Sequence, residues 1–248
     1  MFQLLPKLHI IFGFLCCIAT AVVAEEKEGP IELVAGLAKP PFIIQEGKTG
    51  IQLEIISAAF AEQGEEVVFS HVPLSRNITA FQQWHIDGVI TLPVNYRYPG
   101  MYISEPYIDY QNVAVSLDYM NISINNVKDL QGRSVIAFQN AKKFLGDEYK
   151  ETVSYLLEYR ELANQEQQIK MLFSGRTEVI ILDRDIFRYF VKTHPEAIYQ
   201  KAVRVHPIFP KRPYAAGFKS EELKSIFDAG VEKIKENGTY QALISKYH

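Results

Sequence analysis

An α/β fold built on mostly parallel sheets is what this sequence predicts, and three observations carry the prediction. Strand-like apolar runs alternate with helical stretches, one run is apolar at nearly every position, and the alternation starts again near the middle of the chain. The first run, Ile31–Ala35, reads as a strand and leads into a loop from Gly36 to Gly50 that contains Pro40 and Pro41. A helix is expected over Ile51–Gln63, because Ile51, Ile55, Ala59 and Phe60 share one face and Gly64 suits the C-cap. Glu66–Ser70 is a second strand. Ser75 is expected to cap a helix through Gln83, with Ile78, Phe81 and Gln82 at helical spacing. Asp87–Thr91 then completes a βαβαβ series.

The second series begins with strands at Asn112–Ser116 and Ser134–Phe138. Helices are expected at about Ala141–Tyr159 and Gln165–Phe173. Glu178–Leu182 is apolar almost throughout, as strands buried on both faces of a parallel sheet are. A helix over Asp185–Thr193 and strands at Ala202–His206 and Tyr214–Phe218 follow. Leu223, Ile226, Phe227, Val231 and Ile234 mark the inward face of a helix over Ser220–Asn237, and a short helix at Tyr240–Tyr247 closes the chain. These patterns alone are compatible with two tandem domains.

The first 24 residues read as a secretory signal. Lys7 precedes an apolar run from Ile10 to Ala19 that is too short to span a bilayer, small residues stand at Ala19, Ala21 and Ala24, and the first acid is Glu25. Cleavage after Ala21 and cleavage after Ala24 both fit. The mature protein is thus expected to be exported and soluble. Both cysteines, Cys16 and Cys17, fall inside the signal, so the mature chain has to be stabilised by its core and not by disulfides. Removing residues 1–24 takes away one base, Lys7, and no acid, so the net charge of −3 becomes −4. That balance argues against a nucleic-acid partner and against a polybasic membrane binder. His71, His85, His194, His206 and His248 show no metal-ligand spacing, and no Gly-x-Ser-x-Gly elbow occurs. No metal, no cofactor and no catalytic residue are therefore expected.

Four segments carry more specific information. Arg97 stands seven residues before Ser104-Glu105-Pro106-Tyr107 and just after the strand-like Asp87–Thr91. Val127-Lys128-Asp129-Leu130-Gln131-Gly132-Arg133 leads into the strand at Ser134. Leu172-x-x-Gly175-Arg176-x-Glu178-Val179 runs on to Asp183, and Ile234-Lys235-Glu236-Asn237-Gly238-Thr239-Tyr240 is followed by Leu243, Lys246 and Tyr247. In this order and spacing they resemble the bacterial extracellular solute-binding proteins, family 3, the amino-acid receptors of ABC importers. The strand Pro213–Phe218 resembles the one that carries the family's chain back, and the likeness covers almost the whole mature sequence. It implies a type II periplasmic-binding-protein fold of two lobes, residues 25–109 with 214–248 and residues 110–213. Two crossover segments, near Asp109–Val115 and Lys211–Phe218, would join them. It further implies a periplasmic monomer that binds a small ligand in the interlobe cleft, closes about its hinge, and delivers the ligand to an inner-membrane permease.

The resemblance also assigns candidate ligand-binding residues. Arg97 takes the place of the family's carboxylate clamp, a role suited to a planar, permanently charged fork. Asp183 stands where the family accepts a ligand ammonium, and it also suits the N-cap of the helix at Asp185–Thr193. Lys39, in Lys39-Pro40-Pro41-Phe42, either faces the cleft and favours an anionic group or is a solvated loop lysine. Phe42 is the aromatic expected in the pocket, whereas Trp84 and Tyr107 are expected in the core. Arg76 either reaches the cleft or supports its helix. Gln139 and Asn140 begin a segment whose hydroxyl is lost at Ala141-Lys142, at a helix N-terminus expected to offer free N–H groups. Leu92 and Val94 replace family hydroxyls beside Arg97, which puts a standard α-amino-acid ligand in question. Two other functions stay open: a ligand sensor acting with a separate receptor, and an enzyme like cyclohexadienyl dehydratase, for which Asp183 and Glu105 are the candidate carboxyls.

Overall fold

The computed structural model of the protein describes residues 29–44, 49–194 and 196–247. The signal expected over residues 1–24 lies outside the described residues. The chain lays down β1 (Ile31–Ala35), α1 (Ile51–Ala61), β2 (Val67–His71), α2 (Asn77–Gln83), β3 (Gly88–Pro93), and the short strands β4 (Tyr102–Ile103) and β5 (Ile108–Tyr110). One residue later, past Gln111, it enters β6 (Asn112–Leu117). It continues through β7 (Ser134–Phe138), α3 (Ala141–Phe144), α4 (Asp147–Thr152), β8 (Glu158–Leu162), α5 (Gln165–Phe173), β9 (Val179–Asp183), α6 (Arg184–Thr193) and β10 (Val203–His206). It returns in β11 (Arg212–Phe218) and ends in α7 (Glu221–Glu236) and α8 (Thr239–Tyr247).

Two sheets result. The first has the order β2-β1-β3-β11-β4 with β5 also paired to β11, and the second has the order β10-β6-β9-β7-β8. β1 pairs in parallel with β2 and β3, and β7 pairs in parallel with β8 and β9. Every antiparallel pairing involves β6 or β11. These are the two strands that begin just after the chain changes sheets, so each runs away from the junction, against strands that run toward it. Both sheets are therefore mixed, with parallel strands away from the crossovers.

Side-chain alternation builds a core on each face of each sheet. Ile31, Leu33 and Ala35 join Phe60, Phe218 and Phe227 under α1 and α7, whereas Val34 and Val89 join Phe81 of α2 on the other face. In the second sheet Val135, Ala137 and Ile181 pack with Tyr149 of α4, while Ile136, Ile180 and Leu182 pack with Leu172 and Phe173 of α5. All five residues of β9 are buried, the first four as the apolar run from Val179 to Leu182 predicts. Among the described residues no helix is long and apolar enough to cross a membrane.

Three expectations differ from what is found. The helix expected through Tyr159 stops at Thr152, and Glu158–Leu162 is instead strand β8, in register with β7 from Ser134↔Glu158 to Phe138↔Leu162. Its polar sequence suits a half-exposed sheet edge, where the apolar strand signal fades. Ser75 does not cap α2; Arg76 holds the N-cap position, without a side-chain cap bond. Trp84 is 48% exposed and not part of the core, whereas Tyr107 is buried.

Candidate functional site

A cavity of about 460 Å³ lies between the two sheets. The first sheet contributes Lys39 from the loop after β1, Thr91–Pro93 from the end of β3, and Arg212 and Tyr214 from β11. The second contributes Phe138 at the end of β7 and Gln139 just after it, Gln165 at the start of α5, and Asp183 at the end of β9. Strand C-termini and helix N-termini thus converge, as they do in the clefts of open α/β sheets.

Lys39 is placed by a tight loop. Its N–H donates to the Ile43 carbonyl (2.8 Å) and its own carbonyl accepts from the Phe42 and Ile43 amides (2.9 and 3.1 Å). The loop turns Phe42 into the core and leaves Lys39 at the cavity wall. The ammonium lies 4.1 Å from the centroid of the Tyr110 ring, and Phe42 stacks beneath that ring at 4.0 Å. Tyr110 is itself fixed: its hydroxyl donates to Gln52 Oε1 (2.7 Å), and Gln52 Nε2 donates to Tyr107 Oη (2.8 Å) and Thr91 Oγ1 (3.1 Å). The platform under the lysine is therefore held in place by side-chain hydrogen bonds. Burial pulls the Lys39 pKa down to about 8, against the pull of Asp183.

Asp183 ends β9 and caps α6. Oδ1 accepts the Asp185 and Ile186 amides (2.9 and 3.3 Å), and Oδ2 accepts the amide of Gln111, the residue between the two sheets (2.8 Å). Burial pushes its pKa up to about 6, with Lys39 opposing the shift. The lysine and the aspartate thus face one cavity from different sheets, each partly relieved by the other.

The pH dependence follows from both shifts. Between about pH 8 and 10.5 the unfolded chain holds the Lys39 proton more tightly than the folded one, so this group makes stability rise with pH across that window. Between 3.8 and about 6 the folded state holds the Asp183 proton more tightly, so that group makes stability fall as pH rises. Thermal unfolding of wild type and Lys39→Met across pH 7.5–10.5 checks the first statement. The wild type is expected to gain stability relative to the variant as pH increases, and parallel curves would contradict it.

The remaining candidates lie elsewhere. Arg97 is exposed and absent from the cavity lining; with Glu105 it borders a separate surface depression. After β3 the chain closes a turn through the Tyr96 N–H to the Pro93 carbonyl (2.8 Å). The guanidinium folds back on that turn, donating to the carbonyls of Tyr96 (2.7 Å) and Val94 (3.3 Å). Arg76 is exposed at the end of a short 3-10 turn and does not line the cavity. Phe42 lies under Tyr110 and not at the wall. The helix N-terminus expected to be free at Asn140 is occupied from within: Glu161 accepts the Asn140 and Lys142 amides (2.8 and 3.1 Å), so an internal carboxylate fills that place.

Arg212, Asn77 and Gln165 also line the cavity and were not singled out in the sequence. Arg212 donates to the Phe144 carbonyl (2.6 Å), which ties β11 to the second sheet's side of the cleft. It lies in the crossover that the resemblance marked at Lys211–Phe218, so position was the available signal. Among the described residues no group of three or more His, Cys, Asp or Glu side chains converges for a metal ion.

Comparison with known proteins extends the geometric picture. A curated relative, a probable histidine-binding protein of Campylobacter jejuni subsp. jejuni serotype O:2, is 23% identical over 221 residues, covering 84% of this chain and 80% of the relative. An ancestral cationic amino acid solute-binding protein superposes with a TM-score of 0.71 at 20% identity, covering 89% of this chain and 96% of that one. The GluR0 ligand-binding core in complex with L-glutamate superposes with a TM-score of 0.68 at 18% identity, covering 90% and 99%. These structures share the two-lobed type II periplasmic-binding-protein fold. The family model for the bacterial extracellular solute-binding proteins, family 3, matches residues 33–248, and the chain belongs to that family.

Proposed function

We propose that this solute-binding protein captures an amino acid or a closely related small carboxylate between its lobes and delivers it, as a monomer in the periplasm, to an ABC-type permease. The observation that carries the reading is the charged lining of the cavity: Lys39 and Arg212 from the side of the first sheet and Asp183 from the second. A ligand with an anionic and a cationic group gives each lobe a partner, and contact with both favours the closed arrangement. The relatives named above bind amino acids or are named for doing so, which supports the class of ligand.

Binding without turnover is the reading best supported by the carboxyl groups. Both oxygens of Asp183 already hold backbone amides, and Glu105 is exposed outside the cavity. Asp183 thus serves as a helix cap as well as a cavity charge, and Glu105 lies away from a molecule bound in the cavity.

A thermal-shift screen of the L-amino acids and their deaminated and decarboxylated analogues tests the proposal. A ligand at 100 times its Kd adds about 2.7 kcal/mol, or roughly 5–10 °C in Tm for a chain of this size. Loss of the shift when the carboxylate is removed is expected. A full panel without any shift would sink the reading.

A further inference from the structure

We propose that the cavity contains a second, uncharged recognition site, formed by the carboxamides of Asn77 and Gln165, that selects a ligand bearing a neutral hydrogen-bonding group such as an amide. This deepens the proposed function and rests on it. Both side chains line the cavity, one from each lobe, and Asn77 Oδ1 and Gln165 Oε1 have no hydrogen-bond partner. Asn77 is only 3% exposed. A buried amide without a partner is costly, and such groups as a rule have a structural or ligand partner. No protein group fills that role here, although both amides stand at a wall where a ligand can. Rotation about the last side-chain torsion lets each present its oxygen or its nitrogen, so the pair matches a group that both donates and accepts.

The location argues for a neutral partner. Lys39 sits on rings belonging to the core under α1 and α7, while Asn77 opens α2 on the opposite face of the first sheet. Its cavity neighbours Ile78, Leu92 and Tyr96 pack with the α2 core. In the second sheet Gln165 follows β8, which lies two strands from β9 and Asp183, on the order of 10 Å. An amide held between Asn77 and Gln165 would have its hydrogen bonds met by the two carboxamides, whereas a charged group there would find no charge on either of them.

Calorimetry with L-glutamine, L-asparagine, L-methionine, L-lysine and L-glutamate provides the test. L-Glutamine or L-asparagine is expected to bind at least about tenfold more tightly than L-methionine, which has a side chain of similar length without the amide. Asn77→Ala is expected to erase most of that preference while changing L-methionine affinity by no more than about twofold. Gln165→Ala, on the other lobe, is expected to act in the same direction and keeps the test intact should either variant fail to fold. Methionine or a charged amino acid binding as tightly as the amides overturns the proposal and leaves the wider reading standing. So does an Asn77→Ala variant that weakens all ligands alike. Failure of every amino acid to bind overturns the wider reading, and this site with it.

Discussion

Replacing Lys39 by Met is expected to weaken binding of the panel's tightest amino acid by at least ~100-fold while leaving the free protein as stable as wild type, or more so. A charge-assisted hydrogen bond contributes about 1.5–3 kcal/mol, and two such bonds from a desolvated ammonium to a carboxylate account for that factor. The ammonium rests over Tyr110 in a setting that already lowers its pKa to about 8, so the cation is costly to hold without a ligand. Met keeps most of the stem and removes the charge, which should relieve the empty cleft. Arg97→Met is the matching control. Its guanidinium is bonded to the carbonyls of its own turn and is absent from the cavity lining, so a change of less than about threefold is expected. Calorimetry on the two variants decides: a large loss at Arg97 with none at Lys39 would reverse the assignment of the anion site.

Gly230→Ala is expected to destabilise the first lobe strongly. A Cβ built at Gly230 lies 2.0 Å from the Ala59 carbonyl oxygen, 2.6 Å from its carbon and 3.1 Å from its Cα. These are backbone atoms in the last turn of α1, so no side chain can swing away, and α1 and α7 must separate. Their shared core includes Phe60 and Phe227, whose ring centroids are 5.5 Å apart, and separation opens that contact. Overpacking of this kind costs about 1–3 kcal/mol and more where backbone is struck, so a loss of roughly 3 kcal/mol and 6–12 °C in Tm is expected. Chemical denaturation measures it. A change below about 1 kcal/mol would mean that the helices yield more easily than their packing implies.

The fold was largely legible because its information is periodic. β1, β7 and α5 begin and end where the residue pattern puts them, and the buried β9 is apolar from Val179 to Leu182. What was missed is either edge strand or aim. β8 reads as polar because one side of it faces water, and β4 and β5 are too short to show a period. The site was half legible for the second reason. Lys39 and Asp183 are carried to the cavity by a loop and a strand end whose positions the sequence suggests. Arg97 has the spacing of a clamp, but the turn from Pro93 to Tyr96 decides where its guanidinium points, and spacing carries no direction. Asn77 and Gln165 belong to no chemical motif; only a buried cavity gives an ordinary carboxamide meaning.

Asp183 bears on how this receptor can change its ligand over evolutionary time. The same carboxylate anchors the first turn of α6, holds the amide of Gln111 between the sheets and presents charge to the cavity. A substitution that retunes the ligand there also loosens a helix end and the connection between lobes, so selection for a new diet meets selection for folding at one position. Asn77 and Gln165 carry no such triple duty, and their unpartnered oxygens brace no backbone. Mutational drift toward new nutrients therefore has an open route through the two carboxamides and a narrow one through the aspartate.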